Sequence, residues 1–367
     1  MSGKNLIPIK IPTRIGFLSF MGDVMGCGVI RVITPYLLLN YLNLPGIPIH
    51  TQYFSNYIGE VGFYKNFSFL QFQRSATEQH LRIHRDFRMR IQPKCKIPLI
   101  YEIDDLLTDI PEWNFAHKYY AENIQHIEAM MRESNAIIVS TEPLKKAYQK
   151  YNRNIIVCEN HLPKFIWGDI YPKHNYYKEG EKIRILWAGS QNHFKHQLMK
   201  DAPDGGDFGP KLMDFIRKTT KVYDWCFMGA LPLELENIKH EVNFYQWRNT
   251  FEYPRYLKNI DADMAIAPLQ KGIFNECKSG IKALEFTAIG IPGIYSRIYP
   301  YKGMTIQCSN EEEMLSEIEK LASDVDLRRQ VWEKDYSTAK SQLWWEEDGN
   351  LRKYVDLYLS TMNRRLP

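Results

Sequence analysis

Short runs rich in β-branched and aromatic residues recur along this chain, each bounded by turn residues and separated from the next by a longer helix-compatible stretch. This alternation constrains the fold more than any other feature. Strands that are apolar throughout must be covered on both faces, and helices between them impose parallel crossover connections. Strands are predicted at TRIGFLSF, IPIHTQYF, FSFLQFQ, KIPLIYEID, NAIIVST and NIIVCEN, with helices over stretches such as VIRVITPYLLLNYL and YAENIQHIEAMMRES. The pattern pauses in NHLPKFIWGDIYPKHNYYKEGEK, rich in Pro, Gly and aromatics, which reads as a linker. It restarts at IRILWAG, WCFMGA, VNFYQW, ADMAIAPL, IPGIYS and MTIQCS. The fold class expected is therefore α/β, as two doubly wound, Rossmann-like units facing across a cleft. Residues 1–165 form the first unit and 166–340 the second, with 341–367 a helical tail expected to pack back on the first.

The 367 residues suffice for two such cores, and 44% hydrophobic with 25% charged residues is a globular composition. A net charge of +4 permits contact with a polyanion without requiring it. The six cysteines make no CxxC pair and no zinc spacing, so they read as buried reduced thiols. MSGKNLIPIKIP lacks the apolar core of a signal peptide, and no apolar run approaches bilayer length. A cytoplasmic monomer or dimer without a membrane segment is expected.

Ligands of open α/β sheets bind beyond the carboxyl ends of strands, so the residues just after strands carry the functional reading. FNECKSGIKALEFTAIGIPGIYS (Phe274–Ser296) follows one of them. A helix is predicted to start near Ser279 or Gly280, with Ser279 as its N-cap. Its free N–H groups and Lys278 suit a phosphate, and Glu285, two turns in, can accept hydrogen bonds from sugar hydroxyls. Asp104 and Asp105 end the strand in YEIDDLL. They read either as a helix-capping pair or as acceptor-side carboxylates that orient a hydroxyl or help remove its proton. One Asp-Asp pair without further ligands does not make a metal site. Arg31 sits in the first turn of its helix, wrong for the macrodipole, and asks for a partner anion or exposure. Arg82, Arg85, Arg88 and Arg90 in RIHRDFRMR read as a solvated helix face rather than a nucleic-acid patch, and His161 as a solvated loop residue.

Phe274–Ser296 resembles the donor-binding segment of GT-B glycosyltransferases of the large retaining family 4 type, whose Glu-x7-Glu motif is followed by a small-x-Gly-x-Pro turn. Glu285 matches the second glutamate, which the resemblance assigns to the ribose of a nucleotide. The first would fall on Cys277, so the sugar's identity is not carried over. Glu276, one position away, stands as the only nearby substitute. Essentially the whole chain shares the resemblance. It implies a UDP-sugar donor, no metal requirement and retention of anomeric configuration. Lys278, Ser279 and Gly280 would hold the diphosphate, together with Gly189, Ser190 and Lys195 (or His193) of IRILWAGSQNHFKH. Gly26 and Gly28 of GDVMGCGVIRVITPYLL would let the backbone approach donor or acceptor, with Arg31 nearby. YQWRNTFEYPRYL would lie near the nucleobase. GCGVIRVITP, PLIYEIDDLL and FN-x-CKS-x-IKALE resemble compact bacteriophage members, implying double-stranded DNA bearing hydroxymethylated cytosine as acceptor. The competing readings are a polysaccharide, lipid-linked or protein acceptor, or a non-catalytic binding protein on the same scaffold.

Overall fold

The computed structural model describes residues 16–50, 59–168, 180–195, 203 and 205–361. The amino-terminal MSGKNLIPIKIP and 169–179 of the expected linker lie outside these, as does the end of the tail. Six strands make the first sheet: β1 Phe17–Met21, β2 Gly46–His50, β3 Phe69–Gln73, β4 Leu99–Ile103, β5 Ala136–Val139 and β6 Ile155–Val157. Six more make the second: β7 Ile183–Ala188, β8 Tyr223–Met228, β9 Asn243–Tyr245, β10 Met264–Ala267, β11 Gly293–Ser296 and β12 Ile306–Cys308. All pairings are parallel, in the orders β2-β1-β3-β4-β5-β6 and β12-β11-β10-β7-β8-β9. The expected doubly wound α/β class is what the chain adopts.

Burial explains the strand composition. Every residue of β1, β3 and β4 is buried, because helices cover both faces of the sheet. One face packs Leu70, Phe72, Tyr101 and Ile137 under the helices that connect the strands. The other packs Phe17, Phe69, Ile100 and Ile138 against Tyr354, Val355 and Tyr358 of the carboxy-terminal helix Asn350–Ser360. Tyr358 stacks on Phe69 with ring centroids 4.8 Å apart. Burying an aromatic side chain of this kind contributes roughly 2–3 kcal/mol.

The tail reaches the first sheet along the strand-like segment at residue 162. Leu162 donates its N–H to Leu343 O at 2.8 Å and accepts from Trp345 N–H at 3.0 Å. His161 is not solvated, contrary to expectation. Its Nδ1 lies 2.7 Å from Gln342 O and its ring meets Trp345 edge-on at 4.5 Å. Burial lowers its pKa to about 4.

In both sheets the strand order turns around at the first strand: β1 lies between β2 and β3, and β7 between β8 and β10. A crevice opens at such switch points, outside the carboxyl ends of the strands. Gly22, Arg74 and Asp104 directly follow β1, β3 and β4, and Gly189 and Gly229 directly follow β7 and β8.

Candidate active site

The first-sheet side of the crevice is built around Arg74. Its φ of 47° lies in the left-handed region, a strained conformation for a side-chain-bearing residue. The surroundings hold it there. Its N–H donates to Glu102 O at 2.9 Å, its guanidinium contacts Asp104 Oδ1 at 2.6 Å, and Nη2 donates to Asp105 Oδ2. Asp23 stands 3.9 Å from the same guanidinium and accepts from Met25 N–H and Gly28 N–H at 2.8 and 3.2 Å. Those bonds fold Gly26–Gly28 into a helical turn over the carboxylate pair, with Cys27 Sγ among the Asp104 and Asp105 oxygens. Gly28 has no room for a side chain, since a Cβ would lie 1.7 Å from Asp23 O, whereas at Gly26 nothing lies within 4 Å. Burial pushes the Asp105 carboxyl above its ordinary range, Arg74 pulls it back, and Asp104 raises it further.

Cys27, Asp104 and Asp105 bring three potential ligand atoms within 4.8 Å of one another. Arg74 is ion-paired with both carboxylates, so the charge a cation would supply is already in place.

Arg31 departs from the donor-binding role expected for it. It lies 2% exposed in a π turn, Val29–Ile33, and its anion belongs to the protein: Nε donates to Glu102 Oε1 at 2.6 Å. Nη1 donates to Cys158 O at 2.5 Å and to Asn160 Oδ1 at 2.8 Å. Arg31 positions the site from beneath.

On the second-sheet side, Ser279 is not the N-cap. The helix runs Ile281–Ile289 with Gly280 at its cap position and no capping side chain. A Cβ on Gly280 would lie 2.3 Å from Pro300 O. The Ser279 hydroxyl instead accepts from Asn160 Nδ2 at 2.8 Å, across the cleft. One turn into the helix, Glu285 Oε2 accepts from Tyr253 OH at 3.0 Å and from Lys282 Nζ at 2.9 Å. Tyr253 stacks on the half-exposed Trp247 at 6.0 Å, and a Cβ on Gly229 would come within 3.2 Å of the same indole. Gly229, at φ 96°, also meets the backbone of Gly189, whose oxygen would be 2.4 Å from that Cβ. The ends of β7 and β8 thus form a floor of bare backbone beside an aromatic ring. Ser190 is exposed just beyond, and Lys195 is partly buried at the end of the following turn.

Lys278 sits between the two halves. Its Nζ is 3.9 Å from Asp207 Oδ2 and 4.9 Å above the Phe274 ring, and its charge lowers the pKa of Asp105. Asp207 is fully buried and accepts from Asn275 Nδ2 at 2.7 Å, Gln270 N–H at 2.9 Å and His193 Nδ1 at 2.7 Å. Burial alone would raise its pKa, but Lys278 and these hydrogen bonds outweigh it and hold the carboxylate low.

Glu276 does not stand in for the missing glutamate: its Oε2 caps the backbone N–H of Tyr299 at 3.0 Å. Cys277 points the other way, into the first unit's core, and its carbonyl accepts from Thr141 Oγ1 at 2.8 Å.

Contacts thus tie Asp104, Asp105 and the Gly26–Gly28 turn into one cluster through Arg74 and Asp23, and Ser279 to Asn160. Glu285 pairs with Tyr253, Gly189 adjoins Gly229 and Arg31 lies buried on Glu102. Arg74, Asp23, Asn160, Asp207, Asn275 and Tyr253 are members that sequence reasoning missed. Arg74 had one legible signal, a charge directly after a strand. Asp207, in the loop DGGDFG, had none.

No protein-family model and no curated protein matches this chain. Solved structures do. An α,α-trehalose 6-phosphate synthase from Burkholderia multivorans superposes with a TM-score of 0.57 at 10% identity, covering 95% of this chain and 99% of that one. An O-GlcNAc transferase from Thermobaculum terrenum gives 0.53 at 11%, over 95% and 68% of the two chains. A Listeria monocytogenes protein described as a UDP-N-acetylglucosamine 2-epimerase gives 0.51 at 12%, over 94% and 95%. The chain has the GT-B fold. At these identities the likeness establishes architecture alone, and GT-B scaffolds carry both transferases and an epimerase among these neighbours. In this GT-B chain the Gly26–Gly28 turn and the Asp104–Asp105 pair belong to the amino-terminal lobe. Lys278, Glu285 and the Gly189–Gly229 floor belong to the carboxy-terminal lobe. No helix among the described residues is long and apolar enough to cross a membrane.

Proposed function

We propose that this protein transfers a sugar from a nucleotide sugar, a UDP-sugar in the first instance, to a hydroxyl group held by the amino-terminal lobe. The observation that carries the reading is the apposition of Lys278 and the open end of helix Ile281–Ile289 to the Asp104–Asp105–Arg74 cluster across the crevice. The base would stack on Trp247 above Gly229. The ribose would meet the buried Glu285, whose Oε1 makes no hydrogen bond to a described residue, and the diphosphate would lie between Gly189 and Lys278.

In that arrangement the acceptor oxygen forms the new bond to the anomeric carbon as the old C–O bond breaks. Its electron pair passes to the diphosphate, where Lys278 and the helix N–H groups meet the charge as it develops. The hydroxyl proton goes to the Asp104–Asp105 pair, whose Asp105 member burial makes more basic than an ordinary aspartate. Retention of configuration and independence from metal follow from the family resemblance.

DNA bearing hydroxymethylcytosine, the acceptor implied by the phage-type motifs, finds no ready cationic face in the first helix of arginines. Arg82 pairs with Glu78, Arg90 with Asp86, and Arg85 and Arg88 with Glu133. The replacement of the family's first glutamate by Cys277, with Glu276 turned to Tyr299, favours weak sugar contacts and keeps a non-catalytic binder as the second reading.

One experiment tests all three. The purified protein is incubated with UDP-sugars alone, with glycan or lipid-linked acceptors, and with plain or hydroxymethylated DNA, followed by mass analysis of nucleosides and products. Release of UDP with a glycosylated product supports transfer, and NMR of the product's anomeric proton reads retention. Donor binding without hydrolysis or transfer in any arm would favour the binder. An unmodified hydroxymethylated nucleoside with every donor would end the DNA acceptor.

A further inference from the structure

The resemblance offers His193 only as an alternative charge near the diphosphate; the structure pairs it with Asp207 in a dyad. Asp207 is wholly buried, and its Oδ2 lies 2.7 Å from His193 Nδ1. This carboxylate fixes the ring tautomer: Nδ1 carries the proton and Nε2 is left as the bare nitrogen. The ring is further held edge-on against Trp187 at 5.7 Å. Its Cδ2, bonded to Nε2, lies 3.1 Å from where a Cβ on Gly189 would be, just beyond the Trp187 ring at 2.7 and 2.9 Å. That side of the ring therefore adjoins Gly189 at the end of β7, and Nε2 makes no hydrogen bond to any described residue. Because Asn275 and the Gln270 N–H anchor the other oxygen of Asp207, the dyad cannot easily swing away.

The charged groups that act on this ring are Asp207, which favours its protonated form, and Lys278 and Lys282, which oppose it. Burial and Lys278 lower the imidazole's pKa, so in the empty cleft it is neutral at neutral pH. It cannot contribute a standing positive charge to the site.

Resting on the nucleotide-sugar reading above, we propose that His193 is a proton-charged phosphate ligand: when the donor's diphosphate seats beside Gly189, Nε2 takes a proton from solvent and donates it as a hydrogen bond to the phosphate. The imidazolium is then flanked by two anions, Asp207 and the diphosphate, which together offset the two lysines. The proton stays on the imidazole, and no covalent bond changes in this step. The arrangement gives the empty site less positive charge to repel against itself and supplies a further charge only when the anion arrives. Donor affinity consequently rises as pH falls from above the bound-state pKa towards the free-state pKa, with Kd dropping by up to about tenfold per pH unit in that window.

The test is isothermal titration of the full-length protein with UDP-glucose, UDP-galactose and UDP-N-acetylglucosamine, whose diester diphosphates do not titrate near neutral pH. Titrations are run in buffers of differing ionisation enthalpy, for wild type and H193Q. Wild type is expected to take up protons on binding and H193Q to bind without uptake and with a flat pH dependence. The His193 Cε1–H resonance should move towards the imidazolium position when the binding UDP-sugar is added. Binding without proton uptake, or equal uptake in H193Q, would overturn the role of His193 and leave the donor reading standing. Failure of wild type to bind any of the three at any pH would overturn the UDP-sugar reading and this inference with it.

Discussion

Asn160 and Ser279, distant in sequence, join the two lobes: the Asn160 Nδ2–H donates to the Ser279 hydroxyl at 2.8 Å. Asn160 Oδ1 accepts from Arg31, which is paired with Glu102 of β4. A line of four side chains thus runs from the middle of the first sheet to the mouth of the helix Ile281–Ile289. Asn160→Ala should weaken donor affinity several-fold with a stability loss of roughly 2–4 kcal/mol, since it removes one neutral bond and one from the Arg31 guanidinium. Arg31→Met should cost roughly 3–5 kcal/mol by stranding the Glu102 charge, and much of that should return in Arg31→Met combined with Glu102→Gln. Urea denaturation of wild type, Asn160→Ala, Arg31→Met, Glu102→Gln and the double variant measures the stabilities, and calorimetry the donor affinity. An additive double variant would show that the two residues do not act as a pair.

Lys278 immediately precedes Ser279 at the join of the lobes. Lys278→Ala should reduce kcat by about a hundredfold or more, the usual scale for losing a fixed electrostatic contact to a developing anion. Its fold should be retained, since the lysine's own contacts are a ring and a carboxylate that keeps three other donors. Steady-state rates with the active donor decide it, and wild-type turnover in the variant would remove Lys278 from the chemistry.

Trp247 offers a half-exposed indole stacked on Tyr253 beside the glycine floor. Trp247→Ala should weaken UDP binding by roughly 1–2 kcal/mol, in line with aromatic stacking, whereas Trp247→Phe should keep most of it. Calorimetric titration with UDP measures both variants, and an unchanged Kd in Trp247→Ala would remove the indole from the base site.

Gly26 and Gly28 separate a permissive position from a required one. Gly26→Ala should change stability by less than about 0.5 kcal/mol, as nothing surrounds the site of the added methyl. Gly28→Ala drives a Cβ into the Asp23 carbonyl, and either the turn over Asp104 and Asp105 opens or the protein loses several kcal/mol. Thermal melting with a UDP titration separates these outcomes, and a Gly28→Ala protein indistinguishable from wild type would contradict the packing.

His161 and His84 make the fold acid-sensitive. Burial lowers His161 to about 4 and His84 to about 3, against an ordinary value of 6.5. Between those limits the unfolded chain binds protons that the folded one does not, so stability is full above pH 6.5 and falls as pH drops towards 4. For His161 alone the loss amounts to roughly 3 kcal/mol. His161→Gln should flatten the pH dependence across this window, as read by denaturant midpoints. A slope unchanged from wild type would assign the acid sensitivity elsewhere.

The twelve strands, the parallel crossovers and the twin-sheet architecture were all legible in the sequence. A strand buried on both faces must be apolar along its length, and that requirement leaves a local mark. The same holds for Asp104, Asp105 and Gly189, because a position at the carboxyl end of a strand of an open sheet is a position at the crevice; Lys278 lies farther along, just before helix Ile281–Ile289. What tertiary structure alone decided is who meets whom there. Arg31 was expected to reach for a ligand, but its anion is Glu102, 71 residues away. Ser279, a natural cap by its place in the chain, spends its hydroxyl on Asn160 of the other lobe, and Glu276 turns to the backbone of Tyr299. Arg74 and Asp207 carried no periodic signal at all. Hydrogen bonds and ion pairs between distant segments depend on how two sheets come to face one another, and no local propensity encodes that meeting.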